Sequence, residues 1–263
     1  MRPIIVIVSI AGLALAAALA ILGPGVRLGW WDYGTALGWM RDYIALPVLI
    51  AAGAAALAFL LALWKARALA PLALVALLAS GAAGYAPLKM KQMATSNPFI
   101  HDITTDFENP PAIAAAAGMD RKNPPDYAGD APAPGLVDGE YVPDSGKTVA
   151  DAQREAFPDI QPLALAVPLE EAVKTARAVV AEMKLETLAE GPASDEMGSG
   201  WRIEAVATSL WYGFKDDFVV RLTPLEAGGV RVDVRSESRV GGSDLGANAA
   251  RVRTFMKKLD AAV

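Results

Sequence analysis

The sequence predicts an α+β chain: three N-terminal transmembrane helices followed by an antiparallel β-sheet domain with two helices on one face. Three observations lead there. The apolar residues are crowded before about Tyr85, while most charges follow it. Three uncharged runs in that first part approach the roughly 20 residues that a helix needs to cross the hydrocarbon of a bilayer. Beyond them, a helical stripe gives way to several period-two strands and then to a second stripe.

The first run, Ile4 to Leu22, carries only Ser9 as a polar residue; the second spans Ile44 to Trp64 and the third Ala68 to about Ala86. Pro47 and Pro71 fall in first turns, where a missing N–H costs least. Unbroken runs of this length are stable in lipid rather than in a soluble core. The first run also has features of a cleavable signal peptide, with Arg2 ahead and small residues behind. Trp30, Trp31, Tyr33, Trp39 and Tyr43 crowd the first loop, Gly23 to Tyr43, which reads as interfacial because amphipathic rings favour the headgroup level. Ala52 with Ala56, and Ser80 with Gly84, offer small residues for close helix approach. Basic residues divide evenly between the two sides. The tight Lys65-Ala66-Arg67 link nevertheless favours an inner N-terminus, placing the soluble domain on the periplasmic side of a bacterial inner membrane.

The soluble part, about residues 92–263, begins with an extended polar segment, Asn97 to Asp106. A Pro/Gly/Asp-rich loop follows at about 118–147, with Asp120, Asp126, Asp130, Asp138 and Asp144 and no buried period. Thr148 followed by Asp151 signals a short helix. Leu163 to Val167 reads as a strand ended by Pro168. A helix follows with Glu170 and Glu171 in its first turn and a stripe of Leu169, Val173, Ala176, Val180 and Met183. Strands are predicted at Leu185–Ala189, Trp201–Leu210, Asp217–Thr223 and Val230–Arg239, with Gly228-Gly229 as a hairpin turn. In the last strand Val230, Val232 and Val234 oppose Arg231, Asp233, Arg235, Glu237 and Arg239, so the second sheet face is expected to be charged and wet. Ser243 or Asp244 is expected to cap the final helix, whose stripe is Leu245, Ala249, Val252, Met256 and Leu259. The order is β-α-β4-α, an analogue in architecture of the START-like helix-grip fold.

Asn97–Thr105 (NPFIHDITT), Pro110-Pro111 and above all Arg235–Arg251 (RSESRVGGSDLGANAAR) carry a resemblance to a bacterial family catalogued as domain of unknown function 1499. The resemblance covers most of Asn97 to Leu259. It implies a domain often attached to membrane helices, and it transfers no catalytic residue. The loop at 118–147 matches no motif of that family and reads as peripheral.

With no cysteine and one histidine, disulfides, thiol nucleophiles and most histidine-based metal sites are excluded. A net charge of −5 argues against nucleic acid as a partner. No phosphate loop, dinucleotide fingerprint or nucleophile elbow occurs, so no catalytic residue, metal or cofactor is assigned. His101 with Asp102 and Asp106, and Asp216-Asp217, read as turns rather than metal sites.

The candidate ligand site is the turn before the last helix. Gly241, Gly242, Ser243 and Asp244 precede a helix N-terminus whose N–H groups suit an anion. Arg235, Arg239 and Arg251 would add charge, with Ser236, Ser238 and Asn248 nearby. The expected partners are the lipid bilayer, a small anionic or lipid-like ligand, or an unidentified protein. The competing reading is a structural network in which those arginines pair with Asp102, Asp106, Glu237 or Asp244. Functionally, the alternatives are an enzyme using Asp/Arg/Ser chemistry or a purely structural scaffold.

Overall fold

The computed structural model describes residues 1–137, 140–193 and 200–263; Asp138 of the acidic loop lies outside them. The chain divides into two units, one comprising Met1–Gln92 with Leu210–Gly213, the other Met93–Ser209 with Phe214–Val263.

The first unit holds α1 (Arg2–Arg27), α2 (Tyr33–Trp39), a π-helical turn (Met40–Ile44), α3 (Ala45–Lys65), a 3-10 turn (Arg67–Leu69) and α4 (Ala70–Ser96). Three helices are long and apolar enough to cross a membrane. Two of them outlast their apolar runs: α1 continues through Pro24 to Arg27, and α4 continues through Pro87 to Ser96. The first loop is likewise shorter than expected, because Asp32 caps α2 by accepting the Thr35 N–H at 2.9 Å. The π turn then carries that helix directly into α3. Helix packing uses small residues, as intramembrane packing does. The buried stripe of α3 is Ala51, Ala55, Ala58 and Ala62, one position earlier than Ala52 and Ala56. Ser80 and Gly84 are buried, and the Ser80 hydroxyl donates to the Ala76 carbonyl at 2.6 Å. Ile7, Ile50, Leu57 and Leu78 face outward, an apolar exterior that water would not tolerate over so large an area.

The second unit begins with β1 (Asp102–Thr104), the hairpin of β2 (Gly135–Val137) and β3 (Glu140–Val142), and α5 (Val149–Ala156). Thr148 caps α5 through the Asp151 N–H at 3.1 Å. Then come β4 (Leu163–Leu165), α6 (Leu169–Glu182), β5 (Glu186–Ala193), β6 (Gly200–Thr208), β7 (Lys215–Pro224), β8 (Val230–Ser238) and α7 (Ala247–Ala261). The main sheet is antiparallel in the order β1-β8-β7-β6-β5, and β4 also pairs with β8. Three strands thus escaped the expected count: β1 is recruited by the free edge of β8, and β2 and β3 form a separate two-stranded piece within the proline-rich stretch.

The apolar face of the sheet follows the strand alternation. Phe218, Val220, Leu222, Val230, Val232 and Val234 are buried against α6 and α7. Phe218 meets Phe255 of α7 edge to face, with ring centroids 5.2 Å apart. At the β7–β8 turn Gly228 and Gly229 both have positive φ, and a Cβ on Gly229 would meet the Leu165 carbonyl oxygen at 2.4 Å. Only glycine lets β4 lie so close.

The other face contradicts the expectation of a wet surface. Glu204, Arg221, Asp233, Arg235 and Glu237 are all buried. The segment after β1 covers them: Ile113 and Ala116 pack on Val219. The backbone N–H groups of Ala114, Ala115 and Ala116 converge on the Glu204 carboxylate, the shortest at 2.7 Å. The start of the 118–147 loop is integral too rather than peripheral: Arg121 bonds Asp217 and Glu237, and Asn123 bonds the Ser238 and Gly241 carbonyls. It is attached by hydrogen bonds and charge, which leave no hydrophobic period in the sequence.

Phe255→Ala removes a fully buried ring from this core and is expected to destabilise the domain by about 3–5 kcal/mol. Chemical unfolding of the detergent-solubilised full chain, followed by tryptophan fluorescence, measures it.

Candidate functional site

The candidate residues divide between the two sides of the sheet because β8 alternates. Arg235, Glu237 and Arg239 point to the covered charged face, while Ser236 and Ser238 point to α7.

On the charged face, arginine and carboxylate match one another. Arg235 binds Asp102 through two parallel hydrogen bonds, at 3.0 and 2.7 Å, and lies 3.5 Å from Glu237 Oε2. Arg239 donates twice to Asp217 Oδ1, at 2.9 and 2.7 Å. From the supposedly peripheral loop, Arg121 reaches both Asp217, at 3.1 Å, and Glu237, at 2.8 Å. Further along, Arg221 and Arg231 share Asp106 and Asp233 at 2.9–3.2 Å. The set is five arginines (121, 221, 231, 235, 239) against five carboxylates (102, 106, 217, 233, 237). Isolated charges would not survive such burial. Paired and hydrogen-bonded, they do.

On the α7 side a second network joins the segments on which the family resemblance rests. Asn248 Nδ2 donates to the His101 carbonyl at 2.9 Å and to the Ser238 hydroxyl at 3.0 Å. Its Oδ1 accepts from Ser236 at 2.7 Å and also from Arg251, whose other branch meets Asp216 at 2.7 Å. The helix begins at Ala247, with Gly246 as N-cap in the left-handed region at φ 85°. Asp244 nonetheless serves the helix start: its carboxylate accepts from the Gly246 N–H at 2.8 Å and the Asn248 N–H at 2.7 Å. The place where an external anion was expected thus already holds an internal one. Gly241 takes φ 92° and its carbonyl, like that of Ser238, accepts from Asn123 Nδ2. Ser243 Oγ accepts from the Leu245 N–H at 3.3 Å. Gly242 is hydrogen-bonded through its backbone to His101.

Sequence reasoning missed Arg121, Asn123 and Gln153. Gln153, on α5, hydrogen-bonds both backbone groups of Thr104, at 2.6 and 3.1 Å, and so closes the outer edge of β1. A polar residue amid the short helix at the position facing the core was the one available signal.

An open cleft of about 530 Å³ lies beside this network. Its lining includes Phe107, Tyr127, Asp130, Asp151, Arg154 and Arg235. Arg154 stacks 4.2 Å above the Phe107 ring and bridges to Asp151. Glu108 and Asp126 add two more carboxylates. The Tyr127 hydroxyl is buried without a hydrogen-bond partner among the described residues, and burial pushes its pKa up. No group of three or more His, Asp or Glu residues suited to a metal occurs among the described residues.

Helices apolar enough to cross a membrane, joined to an antiparallel α+β domain with an internally neutralised charged face, define a membrane-associated protein of α+β type. Residues 102–259 match the family described as protein of unknown function, DUF1499, and the chain belongs to that family. No curated protein and no solved structure matches it.

Burial and the neighbouring Asp102 charge raise the Glu237 pKa from an ordinary 4.5 to about 8, against the opposing pull of Arg235 and Arg121. Folding therefore takes up a proton, and this contribution to stability is full below pH 4.5 and disappears as pH rises through about 8. Asp244, raised to about 6 by burial, is mostly ionised above pH 6.5, and His101, held low by burial, is largely neutral there. Stability should thus fall between pH 6.5 and 8.5, and Glu237→Gln should flatten that fall; thermal unfolding across the range tests it. Arg239→Ala, which removes two charged hydrogen bonds to Asp217 and leaves it paired with Arg121 alone, is expected to cost about 1.5–3 kcal/mol. Arg253→Ala breaks the exposed pair with Asp159 and a contact over the Phe157 ring and should cost at most about 1–2 kcal/mol by chemical denaturation.

Proposed function

We propose that the chain is a multi-pass protein of a bacterial inner membrane whose soluble domain, on the periplasmic side, is a non-catalytic binding module. One observation carries this reading: the arginines of the β8–α7 region are matched by internal carboxylates, so their charge serves cohesion. A nucleophile or general acid needs an open, reachable group, whereas Glu237 and Asp217 are enclosed by guanidinium partners. The helix-grip comparison is kept as one of architecture, with Phe218 and Phe255 filling the space between sheet and final helix.

The Phe107–Arg154 cleft is the binding place this reading favours. It combines two aromatic rings, a buried hydroxyl with no partner among the described residues, and the carboxylates of Glu108, Asp126 and Asp130. Arg235 is bound to Asp102 and Arg154 to Asp151, so the remaining rim charge is negative and suits a small polar ligand bearing a positive group. An anionic ligand at Gly241–Asp244 is the second reading, supported by Arg251, which is still partly accessible beside that turn.

Native mass spectrometry of the full chain released from detergent, with and without added small amines, tests the proposal. The expected result is a retained amine-bearing ligand, lost in Asp130→Asn and Tyr127→Phe but kept in Arg251→Gln. Retention of an anion abolished by Arg251→Gln moves the site to the turn. A chain that retains nothing and binds no amine overturns the binding role in favour of a scaffold.

A further inference from the structure

The turn between β6 and β7 does not have the composition of an ordinary solvent-exposed hairpin. It reads Ser209-Leu210-Trp211-Tyr212-Gly213-Phe214, and no charged residue occurs from Ala205 to Phe214. Leu210 is 87% exposed and Trp211 47% exposed. The turn is built to hold them there: Ser209 and Phe214 pair through the Ser209 N–H and the Phe214 carbonyl at 2.8 Å. The Ser209 hydroxyl accepts the Phe214 N–H at 2.9 Å, and Gly213 takes φ 73°. The β7–β8 turn, Leu225-Glu226-Ala227-Gly228-Gly229, carries a charge and no ring.

Leaving a leucine in water forgoes the favourable free energy of its burial, so an ordered turn that displays one beside two amphipathic rings is matched to a less polar medium. Tryptophan and tyrosine favour the headgroup level of a bilayer, and leucine favours the acyl boundary beneath it. Leu210–Gly213 also group with the apolar helices rather than with the sheet.

We propose that this tip enters the interfacial layer of the bilayer that holds the three apolar helices. It is a second attachment point, separate in sequence from the helices and made by a loop of the sheet. The inference rests on the membrane reading above, and the experiment separates the two.

The chain has no cysteine, so a single introduced one reports from one place. Leu210→Cys, Ala227→Cys and Leu57→Cys, each carrying an environment-sensitive fluorophore, are reconstituted as full chains in phosphatidylcholine–phosphatidylglycerol vesicles containing doxyl-labelled lipid. Leu57 is an outward-facing residue of α3 and serves as the membrane reference. Quenching at position 210 several-fold stronger than at 227, and approaching that at 57, is the expected result. Equal quenching at 210 and 227, with strong quenching at 57, overturns the attachment and leaves the membrane reading standing. Weak quenching at 57 overturns both.

Discussion

The neutral charged face of the sheet is the constraint on which the soluble domain depends. Five guanidinium groups and five carboxylates, with the Arg202–Glu204 pair beside them, lie between the strands and the segment that crosses over them. Removing Arg235, for instance, leaves the buried Asp102 without its guanidinium partner in a medium that solvates a charge poorly. Such a face cannot form piecemeal. Arg235 on β8 requires Asp102 on β1, Arg221 on β7 requires Asp106 just beyond β1, and Arg121 requires both Asp217 and Glu237. Burial of the charges, docking of the N-terminal segment and closure of the loop after it are one event.

That coupling gives physical meaning to the segments through which the family is recognised. The Asn97–Thr105 stretch lies on the outer edge of β8, and Asn248 links its His101 carbonyl to Ser236 and Ser238. Leu245 and Gly246 both take positive φ, and a Cβ on Gly246 would meet Asn97 Oδ1 at 2.5 Å. The Ser-Asp-Leu-Gly-x-Asn string is thus a joint: an aspartate that caps, a glycine that admits a neighbour, and an asparagine that ties three chain segments together.

The same arrangement redirects the functional question. Arginines near a glycine turn invite the idea of an anion site, yet Asp217, Asp102, Asp216 and Asp244 already supply the anions. Internal carboxylates acting as permanent ligands leave the domain rigid where its charge is densest. The places proposed above for an external partner are instead the Phe107–Arg154 cleft and the β6–β7 tip.

The sequence alone determined the apolar helices, the two amphipathic helices and the four central strands, because each announces itself through hydrophobic periodicity over a local window. Its repeat of valines along Val230–Val234 also identified the core face correctly. What occupies the opposite face was decided only in three dimensions. An arginine in alternation reads as solvent-facing whether water or an aspartate more than a hundred positions away will receive it, as with Arg235 and Asp102. Pairing of charges has no period, and neither does a loop held by backbone N–H groups on Glu204. Such contacts exist only when the fold brings distant segments within hydrogen-bond reach, so the sequence could name Asp102 among several partners for these arginines but no local pattern could assign it to Arg235.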